Sequence, residues 1–408
     1  MNPWVTLIIV AITYLGIAIG HWPRLKTNRT TIALMGAGLL LVTGQIQFDQ
    51  IGSFLDLDTL ILLFSMMIIN ANLRLAGFFE LAANRLLRLT RNPRHFLALE
   101  ILLMGVLSAF FLNDTICLMF TPFLLELMLA ARRNPIPYLI ALATAANIGS
   151  AATLTGNPQN MIIGVASGIS WLQFAAALTP LALLSLGGIW GVLVLFYPQE
   201  FARRNLFDIL PATEVRYYPW HLTKCLIIIG GLLLAFLLGA PVAFAAFLAA
   251  CALLFTRRVQ PESVFAEFDW SLLVFFAALF IVTGSLEVSG LTNRLLELTH
   301  LNEQVNVFSF SAITVLLSNL VSNVPAVLLL RPLTASLPNP TAGWLTLASA
   351  STLAGNLTLL GSVANLIVAE SALRRDVKLT FWEYTRTGSL ITLISLLIST
   401  LWIALFIW

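Results

Sequence analysis

Two polar breaks inside apolar segments, repeated in both halves of the chain, restrict this sequence more than any other feature. Asn113 is followed nine residues later by Pro122, and then by a polar stretch through Asn147, Gly149, Thr153, Thr155, Gly156, Asn157, Pro158 and Asn160. Asn323 is likewise followed nine residues later by Pro332, and then by Thr352, Gly355, Asn356, Thr358, Gly361, Ser362 and Asn365. In a water-soluble chain such stretches would be loops. Here they lie in a sequence that is 59% hydrophobic and 10% charged, with a mean hydropathy of +0.92, so most of it belongs in lipid. Unpaired backbone at membrane depth is tolerated only where it is buried in protein or lines a cavity, and duplicated breaks of this kind point to a secondary transporter.

Other classes find little support. The formal net charge is +3, and Lys and Arg sit between apolar runs instead of forming a basic block, so nucleic-acid binding is not expected. Cys117, Cys225 and Cys251 lie in apolar segments without pairing or metal-ligand spacing, and the four histidines fall at segment ends, never in pairs. No metal and no organic cofactor is expected. The first apolar run begins at Trp4 without a positively charged leader and reads as a span, not a cleaved signal. There is no filter-like motif and no nucleophile beside a general base, which argues against a channel and an enzyme. A Gly-x-x-x-x-Gly-Lys motif is also missing, so pumping would need an ion gradient or a separate ATPase subunit.

Counting apolar segments gives an all-α polytopic membrane protein with ten crossings and two hairpins. The first half (1–200) offers helices near 4–20, 31–48 and 59–79, a helix pair at 96–131, a broken helix at 137–165 and a helix at 171–197. After a cytoplasmic connector at 201–220, the second half (221–408) offers helices near 221–239, 241–256 and 270–290, a pair at 304–335, a broken helix at 343–370 and a last helix at 380–407. Each pair reads as a re-entrant hairpin, because polar tips (Asn113-Asp114-Thr115 and Ser322-Asn323) interrupt what full spans would leave apolar.

The charges agree with this count. Of the 22 Lys and Arg residues, only Arg294 and Arg331 fall on the outer side, and Arg74 and Arg386 lie in helices near their cytoplasmic ends. All the others, from Arg24 to Lys378, lie in loops assigned to the cytoplasm, as the positive-inside rule requires. Both termini are then outside. Five crossings per half is an odd number, so the halves are inverted repeats, with hairpin tips that converge from opposite sides near the midplane. Asp58, Phe64, Gly77 and Asn84-Arg85-Leu86-Leu87 find echoes in Asp269, Phe275, Gly290 and Asn293-Arg294-Leu295-Leu296.

Asn113-Asp114 with Thr121-Pro122, Asn356-Leu357-Thr358, Gly361-Ser362 and Ala372-Leu373-Arg374-Arg375 resemble the arsenite permease family. Asn147-Ile148-Gly149 through Thr155-Gly156-Asn157-Pro158-Gln159-Asn160 is similar to the wider ion transporter superfamily, which includes sodium/proton antiporters and citrate and dicarboxylate carriers. The resemblance covers nearly the whole chain. It implies a homodimer in the plasma (inner) membrane of a prokaryote, with a fixed scaffold and an elevator-type transport domain made from the hairpins and broken helices. In one departure, the first broken helix carries Asn147 where the arsenite permeases tend to carry an acidic residue.

The residues themselves suggest a division of labour. Breaks expose helix N-termini that attract oxygen-rich or anionic solutes and C-terminal carbonyls that hold cations. Expected solute ligands are Asn113, Thr115, Asn157, Asn160, Ser322, Asn323, Asn356, Thr358, Ser362 and Asn365. Expected elements of ion coupling, by proton or sodium, are Asp114, Asn147, Gly149, Thr153, Gly156, Thr352 and Gly361. Small and amide residues also seal kinks and helix contacts in membranes. Asp114 stands out, since a carboxylate at a hairpin tip is a natural proton or sodium carrier; capping the second arm at its N-terminus is the alternative, and the two roles are compatible. Its counterpart is Val324. The leading reading is efflux of arsenite or antimonite coupled to protons, favoured by a core without obvious Lys or Arg. The runner-up is a sodium- or proton-coupled carrier of carboxylates or inorganic anions, and a sodium/proton antiporter comes third.

Overall fold

A computed structural model describes residues 2–20, 25–90, 92–202, 217–256, 259–291 and 306–408, and among these every regular element is helical. The first half contains α1 (Pro3–Ile19), α2 (Arg29–Val42), α3 (Ile51–Phe54), α4 (Leu57–Leu75), α5 (Phe78–Leu89), α6 (Pro93–Phe110), α7 (Asn113–Ala130), α8 (Ile136–Ser150), α9 (Pro158–Ser167) and α10 (Trp171–Phe196). The second contains α11 (Pro219–Leu237), α12 (Val242–Leu254), α13 (Pro261–Phe265), α14 (Trp270–Val288), α15 (Val307–Val321), α16 (Asn323–Ala335), α17 (Pro340–Ala354), α18 (Val363–Leu373) and α19 (Phe381–Phe406). Most of the expected connector and the Asn293–Leu296 echo lie outside the described residues.

Helix starts follow capping chemistry. Asn28 caps α2, Asn92 caps α6 ahead of Pro93, and Asn157 caps α9 ahead of Pro158; each side chain accepts one of the free first-turn N–H groups. Asp56 caps α4 through Thr59 N and Asp269 caps α14 through Leu272 N. The true counterpart of Asp269 is therefore Asp56. Asp58 lies inside the first turn, where its side chain cannot act as the cap.

Packing is reciprocal between the halves. α4 packs on α12 and α14 on α2; α6 packs on α8 and α15 on α17. The second hairpin arms exchange partners, α7 against α18 and α16 against α9, while α10 packs on its counterpart α19. Such pairing is what two related repeats produce. Among the described residues, seven helices are long and apolar enough to cross a membrane, including both arms of the first hairpin, at 18 residues each. The arms of the second hairpin, 15 and 13 residues, fall short of the ~20 that a crossing needs. By the repeat relation the first pair is re-entrant too.

Where ends are close, charges agree in side. Arg74 pairs with Glu267 at 2.5 Å, Arg133 with Glu200 at 2.9 Å and Asp56 with Arg331 at 3.4 Å, each joining ends that the charge distribution assigns to one face. Two expectations change. The segment at 31–48 stops being α-helical at Val42, where Gly44 at φ +69° turns the chain. The segment at 59–79 ends at Leu75, and Gly77 at φ +80° starts the separate helix α5, which carries Arg85 in place of the cytoplasmic loop expected there. α5 is amphipathic: Phe79, Ala83 and Leu86 are buried.

Candidate functional site

The two helix breaks are built alike. Asn160 lies three residues after the α9 cap Asn157, and its Nδ2 donates to Ser150 O at 3.1 Å and Thr153 O at 2.9 Å. Asn365 lies three residues after the α18 cap Ser362, and its Nδ2 donates to Gly355 O at 2.8 Å and Thr358 O at 3.1 Å. Each amide thus bonds carbonyls ten and seven residues upstream and satisfies backbone groups that the break would leave unpaired. Gly156 and Gly361 close these loops. A Cβ at Gly156 would lie 2.4 Å from Ser150 O, and one at Gly361 2.8 Å from Gly355 O.

Between the breaks sits Asn147, 1% exposed. Its Oδ1 accepts from Asn113 Nδ2 at 3.0 Å and Ser362 Oγ at 3.1 Å, and its Nδ2 donates to Asn356 Oδ1 at 2.8 Å and Asn365 Oδ1 at 3.1 Å. One amide therefore joins the first hairpin tip to both sides of the second break. The equivalent residue of the other repeat is Thr352, whose hydroxyl receives Asn157 Nδ2 at 3.3 Å and Gln159 Nε2 at 3.2 Å. Gly149 brings α8 against α6: a Cβ there would lie 2.1 Å from Gly105 O. Thr153 bonds to Ala109 O, tying the first break to the hairpin arm.

The hairpin tips are open by comparison. Neither α7 nor α16 has a side-chain cap, although Asn113 N reaches Gly156 O at 3.1 Å. Asn113 and Asn323 are both buried, each with an Oδ1 that has no partner. Ser322 adopts φ +82° and ψ 159°, a conformation nearly confined to glycine, so backbone strain is held at the second tip. Asp114 makes no capping bond; the N-cap role does not describe it in this conformation.

These tips line a cavity of about 600 Å³. Of the expected solute ligands, Asn113, Ser322, Asn323 and Ser362 face it; Thr115 faces a smaller neighbouring cavity. Asn157, Asn160, Asn356, Asn365 and Thr358 sit in the breaks, which they hold together. Of the expected coupling elements only Asp114 reaches the cavity, while Asn147, Gly149, Thr153, Gly156, Thr352 and Gly361 form the frame behind it.

The cavity is also lined by Gln159, Arg29, Asp269 and Glu370, none of them among the expected site residues. Arg29 corrects the expectation of a core without Lys or Arg, because the start of α2 lines the cavity together with Ala18–Gly20. Glu100 on α6 is 0% exposed with both carboxyl oxygens unpartnered, a second deep carboxyl that an apolar run concealed.

The profile of the citrate transporter family CitMHS matches residues 7–354. The rice (Oryza sativa subsp. japonica) silicon efflux transporter LSI3 is 33% identical, covering 91% of this chain and 91% of its own. The putative transporter arsB of Dictyostelium discoideum is 25% identical over 98% of this chain and 92% of its own. Among solved structures, the YdaH transporter of Alcanivorax borkumensis superposes with a TM-score of 0.64 at 14% identity, covering 99% of this chain and 97% of that one, a likeness of fold alone.

Proposed function

The chain belongs to the CitMHS citrate transporter family and is a membrane transporter; from that premise we propose that it exports a small, uncharged, oxygen-rich metalloid hydroxide, arsenite or antimonite foremost, in exchange for protons. The charge of the cavity carries this reading. Among the described residues, Asp114, Asp269 and Glu370 line it together with the guanidinium of Arg29. A polycarboxylate entering such a chamber meets repulsion that a neutral trihydroxide does not.

The polar groups suit a solute that both donates and accepts. Asn113 Oδ1 and Asn323 Oδ1 are unpartnered acceptors for hydroxyl protons, and the uncapped starts of α7 and α16 offer N–H groups to oxygen lone pairs. Dissolved silicon and trivalent arsenic share this chemistry of neutral hydroxides, which fits a silicon efflux transporter and an arsB-named transporter among the relatives. The reciprocal packing, with hairpins and breaks as one body and α1, α2, α4, α11, α12 and α14 as another, supports an elevator-like exchange of access.

Arg29 and the free helix N-termini favour one second reading, a sodium- or proton-coupled carboxylate or inorganic anion carrier. Everted vesicles separate the two. Under an acid-inside gradient, vesicles with the protein should accumulate arsenite or antimonite, and excess citrate should not compete. Citrate uptake without trihydroxide uptake overturns the metalloid reading in favour of the second.

A further inference from the structure

A second cavity, of about 170 Å³, lies behind Asp114 and shares with the first a wall made by Asp114, Pro158, Asp269, Leu272, Val363 and Ile367. Its far side is α4, and there Asn70 faces it. Asn70 is 4% exposed, and neither its Oδ1 nor its Nδ2 has a hydrogen-bond partner. A buried polar group without a partner is costly, so an amide with both ends free beside a cavity calls for a ligand. Thr115, next to Asp114 at the hairpin tip, brings a hydroxyl to the same chamber.

The chamber is negative. Glu267 and Asp269 line it with Asp114, and the guanidinium it contains, Arg74, is engaged by Glu267 at 2.5 Å. Among the described residues, the other charges near Asp114 are Arg29 on α2 and Glu370 on α18, both on the first cavity, and the buried thiol of Cys117 lies one turn along α7. Among the described residues no three His, Cys, Asp or Glu side chains converge as a divalent metal would require. An amide oxygen, a hydroxyl and one carboxylate are instead the hard donors of a small monovalent cation.

We propose that this side cavity is the coupling-cation site, where a sodium or hydronium ion binds between the Asp114 carboxylate, Asn70 Oδ1 and the Thr115 hydroxyl, apart from the solute. This rests on the transport reading and gives the driving ion its place in it. Asp114 and Thr115 belong to the hairpin and Asn70 to α4, in the opposite body. The ion therefore bridges the moving part to the fixed part, and the site is complete only while the two are docked as seen here. Occupancy and domain position become one equilibrium.

The test uses purified full-length protein in lipid nanodiscs with no solute, so its outcome is independent of what is transported. Thermal unfolding is followed in one arm as sodium replaces choline at fixed alkaline pH, and in the other as pH falls in choline alone. A stabilising response to sodium identifies sodium; a response confined to the acid arm identifies hydronium. Asn70→Leu and Thr115→Val should each weaken that response by about tenfold or more in cation concentration, and Asp114→Asn should abolish it. A wild-type protein unresponsive in both arms overturns the proposal, as do folded variants that respond like wild type. Should Asn70→Leu not fold, the isosteric Thr115→Val decides alone.

Discussion

Asn147 Nδ2 donates to Asn365 Oδ1 at 3.1 Å, so the residue at the first break holds the residue that pins the second. Asn365 has both its donor bonds on its own loop, to Gly355 O and Thr358 O, and its oxygen is free to receive Asn147. The two repeats are thereby joined at their least regular backbone.

Asn147→Ala should therefore be costly. It removes bonds to Asn113, Ser362, Asn356 and Asn365 and leaves buried amides unpaired, a loss on the order of 3 kcal/mol. Thr352→Val, at the equivalent place, removes only longer contacts at 3.2 and 3.3 Å and should cost about 1 kcal/mol. Unfolding midpoints of the two variants measured side by side check the order; equal losses would show that Asn147 is not the hub.

The second tip holds strain that a glycine would relieve. Ser322→Gly should raise stability by about 1 kcal/mol, since the observed φ is nearly exclusive to glycine. The same change frees the tip and removes a hydroxyl that lines the cavity, so transport should slow while the midpoint rises. A lowered midpoint contradicts the strain assignment.

What the sequence made legible and what it hid have one physical cause. Breaks announce themselves locally, because Gly156, Asn157-Pro158, Gly361 and Ser362 are residues that stop and restart helices. The pairing of Asn113 with Asn147 across 34 positions is not local, and neither is the split between amides that face the cavity and amides that hold the frame. Arg29 reads from sequence as one of the cytoplasmic loop cations; its place in the cavity lining depends on how α2 packs on α14. Asn70 and Glu100 stand in apolar runs with no periodic signal of their own. Their significance comes from missing partners, which only tertiary structure displays.

Sidedness can be checked chemically. Single cysteines at Lys26 and Asn134 should react with an impermeant reagent only from the cytoplasm, and those at Asp49 and Ser336 only from outside. All four positions are exposed. Labelling of Asp49 and Lys26 from the same face would exclude the ten-span arrangement.

Arg29→Gln distinguishes neutral from anionic cargo. Removing the guanidinium leaves Asp114, Asp269 and Glu370 without a cation among the described lining residues. A neutral hydroxide should then bind within about twofold of wild type, whereas a carboxylate would lose about tenfold or more, about 1.4 kcal/mol. Binding isotherms at low and high salt give the answer, because only the anionic case depends strongly on ionic strength.

Asp114→Asn isolates coupling from solute recognition. An amide keeps the size and hydrogen-bonding reach of the carboxylate and caps helices equally well, and α7 draws no cap from Asp114 in any case. The fold should be retained. The amide cannot carry a proton in the accessible range and is a weaker ligand for a cation, so accumulation against a gradient should vanish. Counterflow of labelled for unlabelled solute, which needs the cavity but no net movement of the driving ion, should persist. Loss of both activities would place Asp114 among the solute ligands, and retention of gradient-driven accumulation would move the coupling ion to the carbonyls exposed at the breaks near Gly156 and Gly361.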